Sequence, residues 1–256
     1  MMPALPDAFL TLPIAHRAFH DRDAGRPENG MEAIDAAIAA GYGIEVDIQP
    51  SSDGVPMVFH DDTLDRLTDV SGPIKDRTAA DLGALTLKGG ASGIPTLAAV
   101  LAKIAGRVPL LIEIKDQDGA NGPNVGPLEA AVAEALKGYK GPVALMSFNP
   151  HSVAAMARLA PDLPRGITSC SYPAKDWPEI SAAERARLAA IPDYDRVGAS
   201  FISHEAADLS NPRVADLKAA GATILCWTIR SPEAEAAARK VAQNITFERY
   251  AAAIPA

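Results

Sequence analysis

The sequence predicts a (β/α)₈ barrel, a closed ring of parallel strands wrapped by helices. Short apolar runs alternate with alanine-rich helical patterns along 256 residues, and strands that alternate with helices pair in parallel through right-handed crossovers. Eight strand candidates in about 250 residues is the size of this barrel. No GxGxxG follows the first strand, which removes the dinucleotide-binding form of the competing doubly wound sheet.

The predicted strands are 13–17, 44–49, 110–115, 143–148, 166–169, 197–202, 223–228 and 244–248. The first closes on His16-Arg17. The helix after it, "ENGMEAIDAAIAAG", takes Asn29 as N-cap and Gly41 as its left-handed stop. The second strand runs into a hairpin at Asp53-Gly54, a pair favoured in two-residue turns. Residues of about 50–95 fit neither period and read as an insertion after the second strand, placed over the barrel mouth, within a single domain of residues 1–256. The remaining helices are "TLAAVLAKIAG", "PLEAAVAEALKG", "PHSVAAMARLA", "NPRVADLKAAG" and "SPEAEAAARKVAQ".

Composition narrows the function. With 24 Lys and Arg against 32 Asp and Glu, the net charge is −8, a poor match to nucleic acid or a membrane surface. An anionic small molecule would need a local site to attract it. Cys170 and Cys226 are the only cysteines, which suggests a reducing compartment and no disulfide framework. The first residues carry neither a basic n-region nor a long apolar run, and no stretch is long enough to span a bilayer. A cytoplasmic location without stable membrane insertion is the expectation; no oligomeric state is legible.

The chemistry concentrates in "GIEVDIQPSSDGVPMVFHDD". Strand side chains alternate faces, so Ile44, Val46 and Ile48 can pack on helices while Glu45 and Asp47 point inward. Charged inward residues are tolerable mainly at the C-terminal mouth, where two carboxylates can converge on one cation. With Asp53 and Gly54 as the turn, Asp47 faces His60, within about 5 Å between Cβ atoms. "PLLIEIKD" repeats the logic: Glu113 becomes a third inward acid, with Lys115 beside it. Arg17 can bind a phosphate or carboxylate bidentately. Phe148 and Trp227 end later strands and are candidates for lining a pocket. His20, His151 and His204 read as solvated residues in loops or helix starts.

In order along the chain, "AHR", "PEN", "IEVDIQPSSDGVPMVFHDDTLDRLT", "IPTL", "IEIK", "SF" and "CWT" resemble the glycerophosphodiester phosphodiesterases. The resemblance implies a TIM barrel with a small insertion after its second strand. It implies hydrolysis of glycerophosphodiesters to an alcohol and sn-glycerol 3-phosphate with a divalent cation, Ca²⁺ or Mg²⁺. By position, His16 and His60 match the catalytic histidines, and Glu45, Asp47 and Glu113 the metal ligands. Arg17 matches the phosphate-contacting arginine and Lys115 the motif lysine; Glu28 lies in the supporting "PEN" motif. The family nucleophile is thought to be the neighbouring glycerol hydroxyl, giving a cyclic phosphate that water opens. Three departures stand out: Ala18 where Gly is usual, Gly30 where Thr or Ser is usual, and Glu248 where the last strand usually ends in Asp. Competing readings are a metal-dependent aldolase or sugar-phosphate isomerase, a lysophospholipid-cleaving enzyme of the same fold, and a non-catalytic phosphodiester-binding barrel.

Overall fold

The computed structural model describes residues 3–255. Eight parallel strands form a closed ring: β1 (Ile14–Ala15), β2 (Gly43–Pro50), β4 (Leu110–Ile114), β5 (Val143–Ser147), β6 (Arg165–Ser169), β7 (Phe201–Glu205), β8 (Thr223–Ile229) and β9 (Asn244–Phe247). They follow one another around the ring, and β1 pairs with both β9 and β2 to close it. β3 (Pro56–Val58) lies outside the ring, antiparallel to β2.

The helices are α1 (Ala8–Thr11), α2 (Met31–Ala40), α3 (Ala79–Ala84), α4 (Leu97–Ile104), α5 (Pro127–Ala135), α6 (Pro150–Leu159), α7 (Ala182–Ala189), α8 (Pro212–Ala219) and α9 (Pro232–Ala238). Three of them begin alike. Asn149, Asn211 and Ser231 cap α6, α8 and α9 through their side chains, and each is followed by Pro in the first turn. There the missing N–H costs nothing and the fixed φ suits the helix. The outward residues Ile44, Val46, Ile48, Leu110, Ile112 and Ile114 pack against Ile34 of α2 and Val100 of α4, as strand alternation requires.

The N-terminal end of the barrel is stoppered. Leu5 and Phe9 join inward residues Ile14, Leu111, Met146, Phe201 and Leu225 in one apolar cluster. The Asn244 amide donates to the Phe9 and Leu12 carbonyls at 2.7 and 2.6 Å. At Gly166 an added Cβ would come within 2.4 Å of the Phe201 ring, so this glycine makes room for the phenyl group inside the ring. With one end filled by apolar side chains, the other is left for polar chemistry.

Four local expectations need correction. The first strand stops at Ala15, because Arg17 and Ala18 turn through left-handed backbone at φ 51° and 64°. The N-cap of α2 is Gly30, not Asn29, which itself sits at φ 58°. The strand placed at 197–202 lies at Phe201–Glu205; Val197 and Ala199 are buried, but Gly198 between them takes φ 61°, outside regular extended backbone. The hairpin is one residue out of the predicted register: Ile48 pairs with Val58 and Gln49 with Met57. Ser51 and Val55 close a three-residue loop with Gly54 left-handed at φ 78°, the form in which a type I turn is followed by an αL residue. Asp47 therefore lies opposite Phe59, whose N–H donates to the Asp47 carbonyl at 2.9 Å.

Between β2 and β4 the chain builds a small core of its own from Met57, Phe59, Leu64, Leu67, Ile74, Leu82, Leu87 and Ile94. Gln49 ties it to the barrel by donating to Asp62 at 2.8 Å. Among the described residues, no helix is long and apolar enough to cross a membrane.

Candidate active site

The C-terminal mouth gathers Glu45 and Asp47 from β2 and Glu113 from β4, side by side in the ladder. They are 1%, 2% and 7% exposed. Each offers a carboxylate oxygen, and these oxygens lie within 4.8 Å of one another. Burial, reinforced by the charges of Asp47 and Glu113, pushes Glu45 well above the usual carboxylate range. Burial opposes ionisation of Asp47 too, but His60, Lys115 and Arg17 outweigh it and hold that carboxyl below its ordinary value. An all-oxygen donor set under mutual repulsion fits a hard divalent cation, which would relieve the crowding.

Cations of the protein surround the cluster. Lys115 Nζ bonds Glu113 at 2.9 Å and reaches Asp47 at 3.4 Å. The left-handed turn at Arg17 aims its backbone N–H at Glu45 Oε2, 2.8 Å away, and sends its guanidinium to Glu28 at 2.8 Å, with Nε 3.7 Å from Asp47. Asn29 clamps Asp47 from the other side, Nδ2 donating at 3.0 Å. Its side chain is spent there, not on a helix cap.

The two histidines share one arrangement. His16 Nδ1 lies 2.7 Å from Glu248 Oε2, and His60 Nδ1 lies 2.7 Å from Asp61 Oδ1. A carboxylate at Nδ1 fixes the ring and leaves Nε2 for chemistry. Burial lowers the His16 pKa, and the bond to Glu248 only partly offsets this. Both rings line the mouth with Glu45, Asp47, Glu113, Lys115, Phe148 and Trp227. His60 arrives without the predicted register, because the chain leaves the ladder after Val58.

The structure thus brings every predicted site residue to one mouth or, for Glu28, to its rim. Four others were not read as part of the site. Glu248 directly follows β9 and touches His16, His20 and Arg230; an acid at a barrel strand's C-terminal end was the available signal. Asn29 was absorbed by a helix-cap reading. Asp61 and Arg66 form a bidentate pair, and Arg66 also grips Glu28, a contact of 38 residues' separation that sequence spacing does not reveal. The reading of His204 fails as well: it is fully buried on β7, between Ser169 at 2.8 Å and Asp208 at 3.1 Å. The misplaced strand caused that error. His20 is also largely covered, 3.5 Å from Glu248.

Cleaving an anionic ester asks for charge neutralisation and proton transfer, and this mouth offers side chains for both. Fold and mouth together define a barrel phosphodiesterase. The chain belongs to the glycerophosphoryl diester phosphodiesterase family, whose sequence model matches residues 16–246. The Bacillus subtilis (strain 168) protein YhdW is 28% identical over 233 residues, spanning 87% of this chain and 88% of its own. A glycerophosphodiester phosphodiesterase of Caldanaerobacter subterraneus subsp. tengcongensis is 34% identical over 166 residues, 61% of this chain and 66% of that protein. Among solved structures, an Oleispira antarctica phosphodiesterase in complex with the product sn-glycerol-3-phosphate superposes with a TM-score of 0.74 at 26% identity, covering 93% of both chains.

Proposed function

We propose that this protein hydrolyses glycerophosphodiesters to an alcohol and sn-glycerol 3-phosphate by two-histidine acid–base catalysis, assisted by Ca²⁺ or Mg²⁺ held by Glu45, Asp47 and Glu113. The observation that carries the reading is the pair of imidazoles, each anchored through Nδ1 to a carboxylate, lining one mouth with the acid cluster. The product found in the Oleispira antarctica structure supports the glycerol phosphate half of the substrate. When bound, the cation would neutralise phosphoryl charge.

The chain's own residues divide the remaining work. Arg17 and Lys115 attract and orient the phosphodiester. His16, whose charged form burial disfavours, takes a proton at Nε2 from the attacking glycerol hydroxyl. As the new P–O bond forms, the bond to the alcohol breaks, and His60 gives its proton to the departing alkoxide. In the second half water opens the cyclic phosphate with the two roles reversed. His60 suits the departing side because it also lines the larger cavity beside the mouth, which His16 does not. Glu248 and Asp61 position the rings, Glu28 positions Arg17, and Phe148 and Trp227 line the substrate's path. The reading takes residues 1–256 as one working unit, and two buried, unpaired thiols suit a reducing cytoplasm.

The test is hydrolysis of a glycerophosphodiester panel after chelation and after return of each cation. Chelation should abolish turnover and Ca²⁺ or Mg²⁺ restore it. Glu45→Gln, Asp47→Asn and Glu113→Gln should each weaken cation binding by calorimetry; unaltered affinity in all three refutes the ligand set.

A further inference from the structure

We propose that His16, His20 and Glu248 form a second cation site, one for a borderline transition ion such as Zn²⁺, and that filling it switches off His16 as the base. The inhibition rests on the phosphodiesterase reading above and names a regulator of that site; the ion site itself stands on geometry alone.

Among the described residues, two groups of side chains bring three ligand atoms within 4.8 Å of one another. One is the all-oxygen cluster of Glu45, Asp47 and Glu113, which suits a hard ion. The other is His16, His20 and Glu248, two imidazoles and a carboxylate. Imidazole favours Zn²⁺ and its neighbours over Mg²⁺ or Ca²⁺. Two histidines with one glutamate hold Zn²⁺ and leave a fourth position open. The two clusters therefore select different ions.

The spacing favours an ion. His20 Nε2 is buried without a hydrogen-bond partner among the described residues. It faces Glu248 Oε2 at 3.5 Å, too far for a normal hydrogen bond. Two ligands on a tetrahedral zinc stand about 3.4 Å apart when each bond is about 2.1 Å. The gap between His20 and Glu248 thus already has the width that an ion needs. Only the His16–Glu248 edge, drawn to 2.7 Å by a hydrogen bond, has to open. Arg230 Nε holds Oε1 of Glu248 at 2.7 Å and leaves Oε2 for the ion, as an outer partner that orients a ligand does. That guanidinium, with Arg249 Nε 3.4 Å from the same Oε1, also repels a cation. The site is accordingly weaker than a structural zinc site, which suits reversible control.

Local structure brings His20 into place. The left-handed turn at Arg17 and Ala18 folds the chain back, and the His20 N–H donates to the Ala18 carbonyl at 2.9 Å. Phe19 pins the loop, its ring 5.1 Å from that of Tyr42 and 6.2 Å from that of Phe247, the residue before Glu248. His20 also lines a cavity of about 560 Å³ that shares no lining residue with the acid mouth. An ion therefore has an entry path of its own.

The consequence for His16 follows from its two nitrogens. The Glu248 carboxylate only accepts, so Nδ1 carries the proton and Nε2 keeps the lone pair that takes the glycerol proton. An ion can bond Nδ1 only once that proton has moved to Nε2. No proton is gained or lost, but Nε2 then carries a hydrogen and cannot accept another.

The test keeps Mg²⁺ or Ca²⁺ in excess and adds Co²⁺ or Zn²⁺. The wild-type protein should take up one Co²⁺, with visible absorption bands that Zn²⁺ abolishes, and should lose turnover of a glycerophosphodiester as Zn²⁺ fills the same site. His20→Ala and His20→Gln should each weaken Co²⁺ uptake and raise the Zn²⁺ concentration for half inhibition by about tenfold or more, since even partners behind the ligands are worth that much. Inhibition is read as the ratio of rates with and without Zn²⁺ in each variant, and His20→Gln guards against misfolding. An equal midpoint in the wild type and both variants overturns the site, because Zn²⁺ is then acting at the acid cluster. Co²⁺ uptake that excess Mg²⁺ suppresses, or that both variants leave unchanged, overturns it too. If Co²⁺ binds as expected but no glycerophosphodiester is cleaved even without Zn²⁺, the phosphodiesterase reading falls and the inhibition with it, while the ion site stands.

Discussion

His16 and His60 line one mouth with a cluster of acids but are held by different kinds of structure. His16 follows a barrel strand, and its carboxylate, Glu248, comes from the far end of the chain, 232 residues away. Their meeting depends on closure of the ring, since β1 pairs with β9 and the His16 N–H donates to the Phe247 carbonyl at 2.8 Å. His60 sits on the segment between β2 and β4, and its carboxylate is its own neighbour, Asp61. That pair is steadied by Arg66, which also reaches Glu28 and through it Arg17. The first imidazole is thus positioned by the fold, and the second by a local loop that an arginine fastens to the barrel. The same chemical device, a carboxylate on Nδ1, is built once from tertiary topology and once from sequence proximity.

Removing the rings tests whether both halves of the comparison carry chemistry. His16→Ala and His60→Ala should each lower kcat by about 10²–10⁴-fold, with smaller effects on substrate affinity, because proton transfer matters mainly in the transition state. An activated substrate separates the roles. A nitrophenolate hardly needs protonation, so His60→Ala should recover much of its activity on a nitrophenyl diester, while His16→Ala should not. Equal losses on both substrates would dissolve the proposed asymmetry.

Removing the carboxylates sharpens the comparison. Glu248→Gln and Asp61→Asn should each cost about 10–100-fold, the scale of losing a group that orients a reactive ligand. Their pH profiles should differ. His16 must be neutral to accept a proton, and burial already holds its pKa below 6.5 against the opposing pull of Glu248. Taking away that carboxylate removes support for the imidazolium, so the acid limb of kcat/KM should move to still lower pH in Glu248→Gln. In Asp61→Asn the limb should stay in place. Movement in both variants, or in neither, would contradict a base set by barrel closure.

This contrast also explains what was legible in the sequence. The acid pair of β2 shows because strand alternation places Glu45 and Asp47 opposite three apolar residues, and His60 shows because it lies in the same segment. Glu248 was visible only as a departure at a strand end, since nothing in local spacing links it to His16. Arg66 lay in a loop-rich tract without a period, where pattern reading has little to grip. The hairpin register failed over one residue, because Asp-Gly serves both two- and three-residue loops and only the backbone distinguishes them. His204 was lost when buried Val197 and Ala199 were taken for a strand that begins four residues later.

The backbone beside the two histidines differs as well. Arg17 and Ala18 are left-handed at φ 51° and 64°, whereas residues 60–62 show no positive φ. Ala18 places a Cβ in left-handed backbone, yet strain at this point need not weaken the protein. Relief of left-handed strain on Ala18→Gly is worth about 1–2 kcal/mol. Against it stand the added freedom of the unfolded chain, about 0.4–1 kcal/mol, and loss of a buried methyl group, about 0.8 kcal/mol. The residue is 1% exposed and belongs to the apolar cluster that holds Ile34, Val46 and Val58. The opposing effects nearly cancel, so Ala18→Gly should change unfolding free energy by less than about 1 kcal/mol. Ala18→Val has no such compensation: a β-branched side chain resists positive φ and crowds a packed core, for a cost of about 2 kcal/mol or more. It should also slow turnover, because the same turn aims the Arg17 N–H at Glu45. Denaturant unfolding of the two variants decides the matter; a neutral Ala18→Val would mean that the turn relaxes freely and does not hold Glu45 in place.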